Sequence, residues 1–350
     1  MVTKVRLLLV IAFCLAAQGC GTLYVAQAAK GQMQLLTARK PISRVLADPK
    51  TPPELKARLE SVRDAREFAS RELGLPNNKS YTSYADLKRE YVVWSVVATP
   101  EFSVEPHEWC FPIVGCVAYR GYFREQSANR FAARLRTQGF DTVVNGTPAY
   151  STLGKFNDPI LNTMMGYGDD ELASILFHEL SHQVVYIPDD TAFNEAFAVA
   201  VEQEGLARWL KARGREEQLV RHRKRRERQA EGLAVVKRYR TELAALYGSG
   251  IAVDVMRSRK VTVFARLVEE LKALDARYSV KSGIVEDLEG GPNNARLASI
   301  ATYYDCVPGF EKLLAREGRD LPRFYAAAAE LAKLPRAERR ARVCGTEGGS

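Results

Sequence analysis

The feature that most constrains the fold of this 350-residue chain is a pair of helical patterns joined by a short turn. Residues 169–186 begin with a run of acidic residues, which is typical of the first turn of a helix. Residues 189–214 form the second pattern, which starts at the turn Pro188-Asp189-Asp190 and ends near Gly214. Because the connection is short, we expect the two helices to pack antiparallel against each other.

The first of these helices carries the motif H-E-x-x-H over residues 178–182. His178 and His182 are four residues apart, so both imidazoles lie on one helix face and can bind one metal ion. Glu179 projects toward the same site, where it can take a proton from a water molecule. The antiparallel return of the second helix would bring Glu195 beside the two histidines, completing three protein ligands with an open position.

Two histidines and one carboxylate suit zinc best, so the pattern predicts one Zn²⁺ per chain. The alternative is purely structural, with two histidines on a helix face and a glutamate that caps the helix or forms an ion pair. The longer motif with a third histidine is absent, because Val185 occupies the position where that motif has glycine. A glutamate should therefore complete the site.

The strand-like and helical segments along the chain predict an α+β fold that is predominantly helical. With 46% hydrophobic and 27% charged residues, the chain resembles neither a disordered protein nor a multi-span membrane protein. We expect one unit over residues 20–350. Within it, residues 90–165 form a small sheet region with one crossing helix. Residues 169–212 form the helices of the metal site, and residues 213–345 form a helical C-terminal region.

The N-terminus predicts a secretory signal over residues 1–19. Lys4 and Arg6 precede a short apolar run, and Gly19 precedes Cys20, a pattern that resembles a bacterial lipobox. Cleavage would leave Cys20 lipidated, and Gly21 at the next position suggests the outer membrane, facing the periplasm. A plain signal peptide cut nearby is the alternative. Removing residues 1–19 takes two positive charges and lowers the net charge from +9 to +7.

The remaining cysteines are even in number, as expected in an oxidising compartment. They are Cys110, Cys116, Cys306 and Cys344. Three pairings are possible, and free thiols are an alternative. We favour Cys110–Cys116 as a short local loop and Cys306–Cys344 as a link that holds the C-terminus.

The basic balance of charge does not by itself indicate nucleic acid, which a secreted protein seldom meets. The basic run Arg221–Arg228 is interpreted as a solvated helix face, with contact to an anionic surface as the alternative. His222 within it is predicted to be exposed. The sequence leaves the oligomeric state open.

Further residues carry a resemblance to known families. His178, Glu179 and His182, followed by Asn194-Glu195-Ala196-Phe197-Ala198, resemble the gluzincin metallopeptidases, which include thermolysin and the zinc aminopeptidases. Segments such as residues 91–103, 109–123 and 149–165 extend the similarity over nearly the whole mature chain, to a bacterial family of putative aminopeptidase lipoproteins.

The resemblance implies a zincin-like catalytic domain that cleaves peptides or proteins, with zinc held by His178, His182 and Glu195. It implies that Glu179 transfers the proton from water to the leaving amine. It also implies a second donor for the oxyanion, for which Tyr303 and Tyr304 are candidates. Residues 150–154 would be an edge strand that pairs with substrate, or else only a turn.

The chain departs from the thermolysin pattern at Val199, where those enzymes have an aspartate that orients a histidine. Asp189, Asp190 and Glu202 are the candidates for that role. An aminopeptidase also needs an acid for the substrate amine, and no spacing argument chooses among three upstream residues, which are Asp158, Asp169 and Asp170.

The leading interpretation is therefore an envelope-anchored zinc aminopeptidase. An endopeptidase of the envelope is one alternative, and a non-catalytic lipoprotein that keeps the zinc fold as a scaffold or chaperone is another.

Overall fold

The computed structural model describes residues 19–111, 115–279, 285–286, 288, 290–304 and 306–344, with the side chains of residues 19–23, 111, 115, 302 and 303 excepted. The fold is α+β and predominantly helical, as the sequence predicts. Residues 1–18, which hold most of the predicted signal segment, and the side chain of Cys20 lie outside this description.

The N-terminal part is helical, and its three helices are α1 Gly19–Ala38, α2 Ile42–Ala47 and α3 Pro53–Arg71. Helix α3 begins after Pro52, with Pro53 at the first helical position, where the missing N–H has no helical partner to lose. Its buried face carries Leu59, Val62 and Ala69 at helical spacing. This face anchors α3 against the helix that carries the two histidines.

Two three-stranded sheets follow. Their strands are β1 Arg39–Pro41, β2 Ser83–Ala85, β3 Val93–Pro100, β6 Arg120–Tyr122, β7 Phe140–Thr147 and β8 Ile160–Leu161. The larger sheet has the order β6-β3-β7 and is antiparallel, with Val96 opposite Val144. Helix α4 Glu125–Thr137 crosses it and buries Ala128, Ala132 and Leu135 on the sheet face. This matches the predicted strand–helix–strand region, whereas the smaller β1-β2-β8 sheet was not predicted.

A hairpin and two disulfides complete the framework. Strands β4 Trp109–Phe111 and β5 Gly115–Val117 pair with Cys110 opposite Cys116. The structure joins Cys110 to Cys116 and Cys306 to Cys344, which confirms the favoured pairing.

The second half consists of helices α5 Asp169–Ser181, α6 Thr191–Ala212, α7 Glu216–Tyr247, α8 Val253–Tyr278, α9 Asn294–Tyr304, α10 Val307–Arg316, α11 Leu321–Ala332 and α12 Arg336–Val343. Helix α6 lies at the centre, with nearly every residue from Ala196 to Val201 buried at 5% exposure or less. None of the described helices is both long and apolar enough to cross a bilayer.

Two local predictions were wrong. Helix α5 ends at Ser181, five residues before the predicted end, because the chain turns back toward α6 over residues 182–190. His222 is not exposed but 7% accessible, since α7 packs on α6 through that face. The basic run is also only partly solvated, because Arg226 pairs with Glu311 at 2.7 Å and Arg228 Nε donates to Asp275 at 2.7 Å.

Candidate metal centre

The last turn of α5 presents both histidines on one face. His178 lies within the helix, and His182 follows its last residue with helical dihedral angles, φ −60° and ψ −16°. The Ser181 hydroxyl donates to the His178 carbonyl at 2.6 Å, which holds this final turn closed. The spacing of four residues therefore works as predicted, although the helix itself is shorter.

Capping interactions fix the start of α6 beside these histidines. The Asp190 side chain accepts a hydrogen bond from the Phe193 amide at 3.3 Å, as an N-cap does. Asn194 binds the backbone of Ile187 twice, accepting at 2.8 Å and donating at 2.7 Å. These bonds tie the loop to the first turn of α6, and Glu195 follows directly.

The three predicted ligands come together. The Nε2 atom of His178 lies 3.3 Å from Glu195 Oε2, and that of His182 lies 3.8 Å from the same oxygen. One ligand atom from each residue falls within 4.8 Å of the others, so the group could hold a metal ion. Ligands about 2.0–2.1 Å from one tetrahedral ion lie about 3.3 Å apart, which is close to the two separations from Glu195.

A fourth side chain orients the first histidine. Glu202 Oε2 lies 2.9 Å from His178 Nδ1, and the Ser174 hydroxyl donates to Glu202 Oε1 at 2.6 Å. With Nδ1 engaged, the Nε2 atom of His178 is directed at Glu195. A carboxylate behind a ligating histidine fixes its tautomer and raises its basicity.

Of the three acids named for this role, the structure selects Glu202. Asp190 forms a buried ion pair with Arg339 at 2.7 Å, and Asp189 accepts a hydrogen bond from the Cys116 amide. Glu202 lies two helical turns beyond Glu195 on the same face of α6, so the spacing of seven residues was the available signal.

The side chains of the cluster are nearly dry, with 15%, 9% and 12% exposure for His178, His182 and Glu195. Burial lowers the pKa of His182 to about 4. Burial acts to raise the pKa of Glu195, but His182 and His178 outweigh it and lower that pKa. Neutral imidazole and ionised carboxylate are the forms that metal binding requires.

The two carboxylates beside His178 favour its imidazolium form when no cation is present. Burial acts to lower the pKa of His178, but hydrogen bonds to Glu195 and Glu202 outweigh it and raise the pKa well above 6.5. A cation bound between His178 and Glu195 would displace this shared proton, so metal binding should release protons to solvent.

Glu179 has the electrostatics of a general base. Burial raises its pKa from 4.5 to about 7, and the acids Glu195, Asp158 and Glu202 add to this rise while His178 opposes it. A carboxyl group that titrates near neutral pH can accept and return a proton in one reaction cycle.

Tyrosines surround the cluster. Tyr304 ends α9, and burial, with Glu202 and Glu195 nearby, raises its pKa to about 12. The side chain of Tyr303 lies outside the described residues. Tyr119 and Tyr186, which follow β5 and α5, were not predicted as part of the site. Burial and the Glu195 charge raise the pKa of each.

The three acids considered for the substrate amine all have structural partners. Asp158 is buried and accepts hydrogen bonds from the Thr152 amide and hydroxyl, each at 2.7 Å. Asp169 pairs with Arg58 at 2.8 Å and Asp170 with Arg215 at 2.6 Å.

The segment predicted as an edge strand is not one. Residues 150–152 have no strand pairing, and residues 153–156 form a turn closed on Asp158. Leu153 and Gly154 have positive φ angles of 56° and 77°, which a substrate-pairing strand would not have.

Comparison with known proteins gives one match. The model of a family described as "Putative aminopeptidase" matches residues 23–343, which covers most of the chain. No curated protein and no solved structure matches the chain.

Proposed function

The chain belongs to the family described as "Putative aminopeptidase", and from this premise we propose that it is a zinc-dependent aminopeptidase. The observation that carries the proposal is the cluster of His178, His182 and Glu195, backed by Glu202 and accompanied by Glu179. Two imidazoles and a carboxylate are a frequent ligand set of catalytic zinc, which leaves one position open for chemistry.

The residues divide the reaction between them. Bound zinc would supply a Lewis acid that polarises the scissile carbonyl and acidifies water. Glu179 takes a proton from the attacking water and delivers it to the leaving amine. Glu202 holds the His178 ring in position, and Ser174 holds Glu202. Tyr304 remains our candidate for the donor to the oxyanion, because it is partly buried and lies close enough to Glu202 and Glu195 for their charges to raise its pKa.

We place the antiparallel pair α5 and α6 in the zincin class, with the gluzincin order of two histidines on one helix and a glutamate on the next. We also propose that Cys20 carries the lipid anchor and that the enzyme faces the periplasm from the outer membrane. Palmitate labelling of the wild-type chain, compared with Cys20→Ser, tests the anchor. Equal label on both would exclude it.

The activity is tested with matched pairs of peptides that have a free or an acetylated N-terminus. The wild-type protein, Glu179→Gln and the surface control Glu227→Gln are assayed with zinc and with chelator. Glu227 is exposed on α7, so its variant controls for loss of one carboxylate elsewhere. Bound metal is measured on the same samples by elemental analysis.

We expect cleavage of free-amine peptides only, loss of activity with chelator, and a decrease of about 10²–10⁴-fold for Glu179→Gln with its metal retained. Cleavage of the acetylated peptides would show an endopeptidase instead. Full activity of Glu179→Gln would refute the assignment of the base.

A further inference from the structure

A second cleft of about 550 Å³ lies away from the metal ligands and shares no residue with them. It is formed by α1, the loop after β2 and the start of α4. Its volume is within the range of small-molecule sites. Its lining is cationic, with Lys30, Arg89 and Arg124 against one acid, Asp86.

Arg89 is the most unusual of these residues. Its Nη1 donates to the Phe123 carbonyl at 2.9 Å and its Nη2 to the Val92 carbonyl at 3.0 Å, while its Nε atom is buried without a hydrogen-bond partner. Within the described residues it forms no ion pair, and burial lowers its pKa. The guanidinium also lies over the Phe123 ring, 5.8 Å from its centroid. A partly buried guanidinium held by neutral carbonyls and a neutral ring lacks the counter-charge that normally offsets desolvation.

The other charges do not supply that counter-charge. Asp86 is already paired with Lys88 at 2.6 Å. Lys30 and Arg124 are exposed at the cleft, and neither forms an ion pair with any part of the chain that the structure describes. Arg124 is also the N-cap residue of the 13-residue helix α4, and its side chain makes no capping hydrogen bond. The positive end of the α4 dipole therefore adds to the positive charge of the three cationic side chains.

The walls of the cleft are fixed rather than loose. Gln27 on α1 donates to the Gly121 carbonyl and accepts from the Phe123 amide, both at 3.3 Å. A side chain at Gly31 would start 2.1 Å from the Phe123 ring, so glycine there allows α1 to approach this closely. These contacts fix the backbone of the cleft walls, from which Lys30, Arg89 and Arg124 face one space.

We propose that this cleft binds a phosphoryl group, carried either by a soluble phosphorylated compound or by the headgroup of an anionic phospholipid. Three cations that line one cleft match the two charges and three oxygens of a phosphate better than a single carboxylate. The volume exceeds that of phosphate alone, and Leu87 and Phe123 offer apolar surface for the rest of the ligand. This inference does not depend on the peptidase activity.

The test compares two double variants that remove equal charge. The cleft variant, Lys30→Gln/Arg124→Gln, removes the two exposed cations that line the cleft. The control variant, Arg63→Gln/Lys237→Gln, removes two exposed cations from α3 and α7. Calorimetry measures binding of inorganic phosphate and of glycerol 3-phosphate to the full chain. Flotation then compares vesicles of phosphatidylcholine with vesicles that also contain phosphatidylglycerol.

We expect saturable phosphate binding that the cleft variant weakens at least tenfold and the control variant by less than twofold. Arg89→Gln should weaken it at least as much, with its fold checked by circular dichroism. Because Arg89 also holds two carbonyls, the exposed pair gives the decisive result. Absence of phosphate binding in the wild-type protein, or equal binding by both double variants, would overturn the proposal.

The vesicle arm identifies the source of the phosphoryl group. Both double variants share the same N-terminus, so any lipid anchor contributes equally to each. If only the cleft variant loses its preference for phosphatidylglycerol, the site takes a lipid headgroup. If both double variants keep the preference for phosphatidylglycerol while their affinities for phosphate differ, the site takes a soluble phosphorylated compound.

Discussion

Replacing Glu202 tests whether a carboxylate two turns beyond the predicted ligand controls the metal centre. Glu202 accepts from His178 Nδ1 at 2.9 Å and from the Ser174 hydroxyl at 2.6 Å, so it connects α6 back to α5. Glutamine keeps the size and one acceptor oxygen but loses the charge, and charge-assisted hydrogen bonds are about twice as strong as neutral ones.

Removing such a partner costs about 10–100-fold in metal affinity, which is about 1.4–2.8 kcal/mol. We expect Glu202→Gln near the lower end of this range and Glu202→Ala near the upper end. Ser174→Ala removes one donor to Glu202 but leaves the Glu202–His178 bond in place, so its effect on metal affinity should be smaller.

Competition with a chromophoric zinc chelator measures the affinities, with Glu227→Gln as the matched surface variant. The expected order of affinity is Glu227→Gln, then Ser174→Ala, Glu202→Gln and Glu202→Ala. If Glu202→Gln and Glu227→Gln bind zinc within twofold of each other, then Glu202 does not orient His178 for metal, and the reasoning from the hydrogen-bond network fails.

Two further predictions concern stability. Burial would raise the pKa of Glu204, but Arg319 and Arg208 outweigh it and lower the pKa below 4.5. The stabilisation is thus present above pH 4.5 and lost as pH falls through the folded-state pKa. Glu204→Gln should cost about 1–2 kcal/mol at pH 7, and urea titrations should show this difference shrinking in acid; a constant difference would contradict it. A Cβ on Gly205 would lie 3.0 Å from the Phe177 ring, so Gly205→Ala should lose about 1–3 kcal/mol from overpacking, more than helix propensity returns. Higher stability in thermal melts would refute this.

The sequence was informative where partners lie close along the chain. Spacing of four residues placed His178 and His182 on one face, and the short loop placed Glu195 opposite them. The disulfide between cysteines six residues apart was likewise predictable, because closing a short loop costs little conformational entropy.

Prediction failed where packing competes with local preference. The helix of the first histidine ends at Ser181 because Asn194 and Asp190 hold the following loop in a tight return. His222 belongs to a basic run, yet contact with α6 buries it. Neither outcome can be read from a window of neighbouring residues, since both depend on elements brought together by the core.

The sequence by itself determined which side chains can meet in the candidate centre, because residue types and their helical spacing are local properties. The sequence left three candidates for the acid behind His178, and the tertiary structure decided that it is Glu202 and not Asp189 or Asp190. It also gathered Lys30, Arg89 and Arg124 around one cleft, although 94 residues separate the first from the last. Such groupings follow from how helices and sheets bury their apolar faces, and no local pattern encodes them.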